Sequence, residues 1–269
     1  MPYGIGGAEG LSQVLWSVRL GSLRRRVEVS SRTDGPGTGE ARGAVEDDFH
    51  HFKVTVRAKD GVVVEVNSEA PRHPNSLCPT AGGRLAELVG MPLSEVSVAV
   101  MERTDARQQC THQIDLAGLA IAALARGIER RAYELEVPDR IDGRTHVRLW
   151  RDGELLFEWD VDGQVIAGPA PFAGLGIGGG FTGWARRNLD LDGAEAALVL
   201  RRGVFISSGR TVDLDDPGRR TGPMGGCWVW QPGRAELAKR VVGSTHDFTD
   251  RPQVLTRDDQ AWLGFAERA

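Results

Sequence analysis

An α+β fold is predicted, an antiparallel sheet built of hairpins with helices packed on one face, and three observations predict it. Val54, Val56 and Ala58 alternate with polar residues, Lys59-Asp60-Gly61 makes a turn, and Val62, Val64 and Val66 resume the alternation. His146–Trp150 and Leu155–Val161 repeat that pattern around Arg151-Asp152-Gly153. Between the two hairpins lie two apolar helical stretches, one opening at Cys78 and the other at Cys110. Period-two alternation means a sheet with one buried and one wet face, against which such helices pack.

In chain order, residues 1–13 read as a loose leader. Leu15 to Leu23 and Arg24 to Ser31 read as two strands, and Val27 and Val29 alternate with charges in the second. Thr33 to Gly43 is expected to be a loop, because glycine recurs in it. After the first hairpin, Pro71 to Leu77 connects to a helix with Pro79 in its first turn, the stripe Leu85, Leu88 and Val89, and Gly90 at its end. Val96 to Met101 fits a short strand or a short helix, and Arg103 to Gln109 is a polar loop. A second helix runs from Thr111, taken as the N-cap, to Arg126, with Leu116, Leu119, Ala120, Ala123 and Leu124 inward. Tyr133–Val137 is a further strand. Ala167 to Gly183 is a loop, Leu191 to Val204 a helix, and Asp213 to Gly226 a loop. Cys227–Trp230 is a short strand, Pro232 to Val242 a helix, and another short helix falls near Asp258. A boundary is placed near 127–145. Residues 1–130 hold a hairpin sheet and two cysteine-initiated helices, and 131–269 add a hairpin and helices, all packed into one continuous domain.

The 269 residues suffice for a sizeable core. The net charge of −4 argues against a broad nucleic-acid or anionic-membrane footprint. No apolar run approaches the ~20 residues of a membrane span, and Met1 to Gly7 lacks the basic and apolar regions of a secretory signal. Three cysteines, odd in number and far apart, do not make a disulfide framework. A reducing cytoplasm is the expected location.

The chemistry-bearing constellation is Cys78 at one helix start and Cys110, Thr111, His112 and Asp115 at the other. A helix N-terminus carries unpaired N–H groups and partial positive charge, which favour thiolate. His112 and Asp115 are three apart and share a helix face. The plain alternative is that the cysteines are small buried apolar residues and His112 a helix-start hydrogen-bonder. The functional readings are a metal site, with Cys78, Cys110 and His112 as candidate ligands and Asp115 or Cys227 as the fourth, or a metal-free acid–base site. The cofactor expected is therefore none, or one zinc or iron. Cys227, Trp228 and Trp230 could line the same pocket and offer flat faces to a ring, as could Phe181 and Trp184, against plain core packing. His73 and Glu69 precede Cys78 and could reach a pocket there. His50 and His51 lie on opposite faces of a strand and read as a solvated pair. Gly174–Gly180 lacks the context of a phosphate loop and reads as a flexible loop, a candidate lid. Arg186-Arg187, Arg201-Arg202 and Arg219-Arg220 read as solvated, with one of them able to hold a substrate carboxylate or phenolate.

The hairpin, Cys78-Pro79, Gly90-Met91-Pro92 and Cys110-Thr111-His112 with Asp115-Leu116, followed by W-R-D-G-E-L, F-T-G-W-A, A-A-L-V-L-R-R and G-G-C-W-V-W-Q-P-G-R, resemble the bacterial family catalogued as DUF2889. The resemblance runs from about Trp16 to Phe248. It implies an accessory enzyme of aromatic-compound breakdown, such as a lyase releasing formaldehyde from lignin-type aryl compounds. The order hairpin, cysteine, helix, paired Cys and His is also similar to iron–sulfur scaffolds of the IscU/NifU type, although no cysteine lies between Gly82 and Gln109.

The expected function is an enzyme acting on a small aromatic substrate by acid–base chemistry, specifically a carbon–carbon lyase. Cys110 or His112 moves the proton, Cys78 and Cys227 line the site, and tryptophans hold the ring. The other reading is a metal- or iron–sulfur-binding accessory protein without catalysis. The partners expected are a small-molecule substrate and, in a homo-oligomer, further copies of the chain, with no nucleic acid and no membrane.

Overall fold

Eight strands form one antiparallel sheet in the order β4-β3-β2-β1-β5-β6-β7-β8. The computed structural model describes residues 20–216 and 225–266. The expected leader, the first part of the strand expected from Leu15, and residues 217–224 of the expected 213–226 loop lie outside the described residues. The strands are β1 (Ser22–Gly35), β2 (Thr38–Asp47), β3 (His51–Lys59), β4 (Val62–Arg72), β5 (Arg130–Pro138), β6 (Arg144–Arg151), β7 (Glu154–Asp162) and β8 (Val165–Gly168). Strand β1 pairs with β2 on one side and β5 on the other, so the ladder runs unbroken between the two halves of the chain. The helices are α1 (Val100–Arg103), α2 (Thr111–Arg126), α3 (Phe181–Asn188), α4 (Leu191–Ile206) and α5 (Gln260–Leu263). None of the helices described is long and apolar enough to cross a membrane.

The α+β architecture is as the hairpin pattern predicts. Asp60 (φ 52°) with Gly61 (φ 80°), and Asp152 (φ 53°) with Gly153 (φ 88°), make the two tight turns, whose positive φ values suit the twist of antiparallel strands. Helix α2 lies over β1, β2 and β3, and α4 over β5 and β6, on the same face. The other face of β1–β3 is covered by the C-terminal segment. There Thr256 Oγ1 donates to Glu28 Oε1 at 2.6 Å, and the Arg42 guanidinium lies 5.6 Å from the Trp262 ring.

The glycine-rich stretch 33–43 is not a loop. It is the β1–β2 hairpin, turning at Pro36-Gly37, and β1 is one strand where two were expected. Its glycines mark close approach. A Cβ on Gly43 would lie 2.9 Å from Leu116 Cγ of α2, and one on Gly39 would lie 2.3 Å from the Arg32 carbonyl oxygen. The expected Val62/Val64/Val66 face is also corrected. A register shift between Arg57 and Ala58 moves the alternation, so Val63 and Val66 are buried while Val62 and Val64 are exposed.

The expected first helix is a 3₁₀ run, Cys78–Leu88. Proline and two glycines weaken α-helix there, and the buried pairs Cys78/Ala81 and Leu85/Leu88 follow the three-residue repeat. Val89 lies outside that stripe and is 40% exposed. Helix α2 begins at Thr111 but is capped by Cys110, and it ends at Gly127 in the left-handed region. Cys227–Trp230 is not a strand, because Cys227 is extended and Trp228–Trp230 winds into a 3₁₀ turn. The helix expected over Pro232–Val242 is a series of turns, interrupted at its start by Gly233 (φ 83°).

Candidate active site

Two glutamines bring the cysteine-bearing segments together. Gln113, in the first turn of α2, donates from Nε2 to the Cys78 carbonyl at 3.2 Å, and its Oε1 accepts from Ser68 Oγ at 3.1 Å. Gln109 gives its carbonyl to the Trp228 N–H at 2.9 Å, which anchors the turn after Cys227 beside the start of α2. The Trp228 indole N–H donates to Thr80 Oγ1 at 3.0 Å, closing the third side. Around this frame lies a cavity of about 370 Å³. Cys78, Cys110, His112, Cys227, Trp228 and Trp230 all line it.

The opposite wall carries a residue that strand alternation read as solvated. Strand β2 ends at Asp47, whose Oδ1 accepts the backbone N–H groups of Phe49 (2.8 Å) and His50 (2.9 Å). That Asx-type turn folds His50 back over the strand end. The same oxygen lies 3.0 Å from His50 Nδ1. Oδ2 is ion-paired with Arg25 Nη1, and both side chains are buried. Burial would raise the Asp47 carboxyl, but the charges of His50 and Arg25 outweigh it and hold the group well below the usual carboxylate range. An ionised carboxylate only accepts, so His50 Nδ1 carries the donated proton and Nε2 is left as acceptor.

His50 stacks on His112, with ring centroids 3.9 Å apart. Burial, then the charges of His50 and Arg25, push the His112 pKa well below the ordinary imidazole value. His112 is therefore neutral near pH 7. Its Nε2 is buried without a hydrogen-bond partner among the described residues. His51 points to the other face, where its Nε2 lies 2.7 Å from Asp259 Oδ2.

The thiols depart from the expectation that helix starts favour thiolate. Burial pushes Cys110 up to about 12, with the N–H groups of Gln113 and His112 only partly opposing it. Burial also raises Cys78 and Cys227. Desolvation here exceeds the helix-terminus effect, and all three are protonated thiols at neutral pH.

Four expected site residues lie elsewhere. Asp115 lines a second cavity between α2 and α4, and its Oδ2 accepts from Arg202 Nε at 2.7 Å. Trp184 packs in an aromatic cluster, 5.5 Å from Phe172 and 5.9 Å from Phe181. His73 is tied by Nδ1 to the Ala70 carbonyl at 2.9 Å, and the exposed Glu69 lies 3.6 Å from Lys53 Nζ. None of these four lines the cavity of the three cysteines.

Among the described residues, Asp47, His50 and His112 hold ligand atoms within 4.8 Å of one another, whereas Cys78, Cys110 and His112 do not form such a group. Asp47 fits a metal poorly, because its oxygens already take three N–H donors and a guanidinium. What remains is an oriented imidazole, a neutral imidazole with an unpaired nitrogen, neutral thiols and apolar walls. Such a set can move protons.

Fold and cavity thus define an α+β protein with a Cys/His-lined pocket at one end of its sheet. Residues 26–125 match the family described as a protein of unknown function, DUF2889. The match runs from β1 into α2 and includes Asp47, His50, Cys78, Cys110 and His112, while Arg201, Arg202 and Cys227 lie beyond it. No curated protein and no solved structure matches the chain.

Proposed function

We propose that this cavity is the active site of an enzyme that acts on a small aromatic substrate by acid–base chemistry. The observation that carries the proposal is the Asp47-held imidazole of His50 stacked on neutral His112 at the cavity wall. His50 is the base: Asp47 fixes its tautomer and stabilises the imidazolium formed when Nε2 takes a proton. His112 is the neutral ring on which His50 stacks, its buried Nε2 without a hydrogen-bond partner among the described residues. Phe49, Phe52, Trp228 and Trp230 supply apolar and aromatic walls. The thiols are wall rather than nucleophile.

In its specific form the reaction is a carbon–carbon lyase step. His50 takes the hydroxyl proton of a hydroxymethyl group, the adjacent C–C bond breaks, and formaldehyde leaves. The electron pair passes to the aryl-conjugated carbon, which regains the proton from His50. The test incubates purified protein with a panel of hydroxymethyl-bearing aryl compounds and measures formaldehyde and the shortened product in equal amounts, beside elemental analysis. Turnover with protein free of stoichiometric metal is the expected result. Inactivity across the panel with about one zinc or iron per chain, lost in Cys110→Ala, would favour the metal-binding accessory protein.

A further inference from the structure

The charge of the cavity wall identifies a ligand class. Among the described residues the wall carries Arg201, Arg202 and Arg240 and the imidazoles of His50 and His112, but no carboxylate. Arg240 is answered from outside the wall by Asp215 at 2.8 Å, and Arg202 by Asp115 at 2.7 Å. Arg201 is held differently. Its Nε donates to the Ile177 carbonyl at 2.5 Å and its Nη2 to the Gly178 carbonyl at 2.9 Å, so carbonyls orient it without neutralising it. The bond of Arg202 to Asp115 uses Nε, and the described residues give its two terminal nitrogens no hydrogen bond. The Arg201 guanidinium is thus turned toward residues 177–178 and the Phe181 ring, whereas Arg202, on the C-terminal half of α4, lines the cavity with donor capacity to spare.

A half-buried cationic wall without a carboxylate is costly unless an anion or water answers it. The aromatic and aliphatic remainder, with Phe205, Trp228 and Trp230, suits a ring attached to that anion. Asp115, read from sequence as part of the Cys/His constellation, acquires a different role. It holds Arg202 by one edge and leaves the opposite fork of the guanidinium for a ligand.

We propose that the cavity binds an aryl carboxylate, with Arg202 taking the carboxylate and the tryptophan side of the wall taking the ring. The proposal rests on the acid–base site proposed above being a ligand pocket, and it deepens that reading by naming the substrate class. Binding is read separately from turnover. Titration of the full chain with 4-hydroxybenzoate and with the neutral 4-hydroxybenzyl alcohol, followed by calorimetry, distinguishes charge from shape. The anion binds tenfold or more tightly than the alcohol, and added salt weakens only the anion. Arg202→Gln reduces anion binding by about tenfold, while Arg202→Lys, which keeps the Asp115 pair and the charge, retains part of it. Circular dichroism confirms that the variants are folded. Equal binding of the two probes, no saturable binding of the anion, or anion binding unchanged in the folded Arg202→Gln variant would overturn the proposal. Arginine-dependent anion binding without turnover of any hydroxymethyl aryl compound would sink the lyase reading alone. Turnover of neutral compounds as efficient as that of carboxylates would sink this one alone.

Discussion

The imidazole of His50 lies on that of His112, ring centroids 3.9 Å apart and planes inclined by 28°, and only His50 is held by a carboxylate. Two stacked imidazoles would repel if both were charged. Asp47 holds the Nδ1 side of His50, while burial keeps His112 neutral. One member of the pair is thereby fitted to cycle a proton and the other to serve as its neutral stacking partner.

The His112 shift has a consequence for stability. Its folded pKa lies below the unfolded value of about 6.5. Above that pH both states are neutral and nothing is lost. As pH falls below it, the unfolded chain binds a proton that the folded chain does not, and stability declines by up to about 1.4 kcal/mol per pH unit. Urea unfolding between about pH 6.5 and 5 is expected to show a shallower decline for His112→Asn than for the parent. Equal slopes would contradict a neutral buried His112.

Removing one partner of the buried Arg25–Asp47 pair leaves the other as an uncompensated charge. Asp47→Asn is expected to cost about 3–5 kcal/mol. Adding Arg25→Met should recover much of that loss, because the stranded guanidinium is then gone. A double variant as unstable as the single one would show that the pair is not what the single variant breaks. In the parent, the depressed Asp47 pKa means that this contribution is fully present above about pH 4 and is lost as pH falls further through the folded value.

The three thiols should be slow to react. Near neutral pH, iodoacetamide labelling is expected to lag well behind a free thiol, with the half-buried Cys227 modified before Cys78 and Cys110. Rates should climb as pH rises past about 9. Rapid labelling of Cys110 at pH 7 would restore it as a thiolate and a candidate nucleophile.

Helix α2 packs closely because glycine sits at two contacts of different stiffness. A Cβ on Gly118 would lie 2.1 Å from the Ser97 carbonyl oxygen, whereas one on Gly43 would meet the flexible end of Leu116 at 2.9 Å. Gly118→Ala is expected to destabilise by about 2 kcal/mol or more despite the better helix propensity of alanine, and Gly43→Ala by less. The reverse order in thermal unfolding would refute the packing argument.

The parts of the fold set by local chemistry were legible. Asp-Gly turns marked both hairpins, and Gly127 marked the end of α2. The glycines at 39 and 43 misled, because in sequence a glycine that admits a neighbour looks the same as one that frees a loop. The shift of the Val62–Val66 face was hidden for a related reason, since a bulge moves the alternation without any residue announcing it. At the site, the helix-start context singled out Cys78, Cys110 and His112, and the tryptophans after Cys227 suggested the same pocket. Its electrostatics were not legible, because burial overturned the thiolate reading and depends on long-range contacts through Gln109 and Gln113. His50 was missed because alternation separates it from His51 without saying which of the two faces α2. The signal that could have found it is Asp47 three residues earlier, placed to fold a turn and to hold the ring.

The central claim, that the Asp47-held His50 moves the proton and the thiols do not, is tested most directly by comparing two variants on any aryl compound the protein turns over. His50→Gln keeps size and polarity but removes the base, and should lower kcat by about a hundredfold or more. Cys110→Ser keeps shape and should stay within a few-fold of the parent. Loss of activity in Cys110→Ser with His50→Gln near the parent rate would contradict the account and return the chemistry to the thiol.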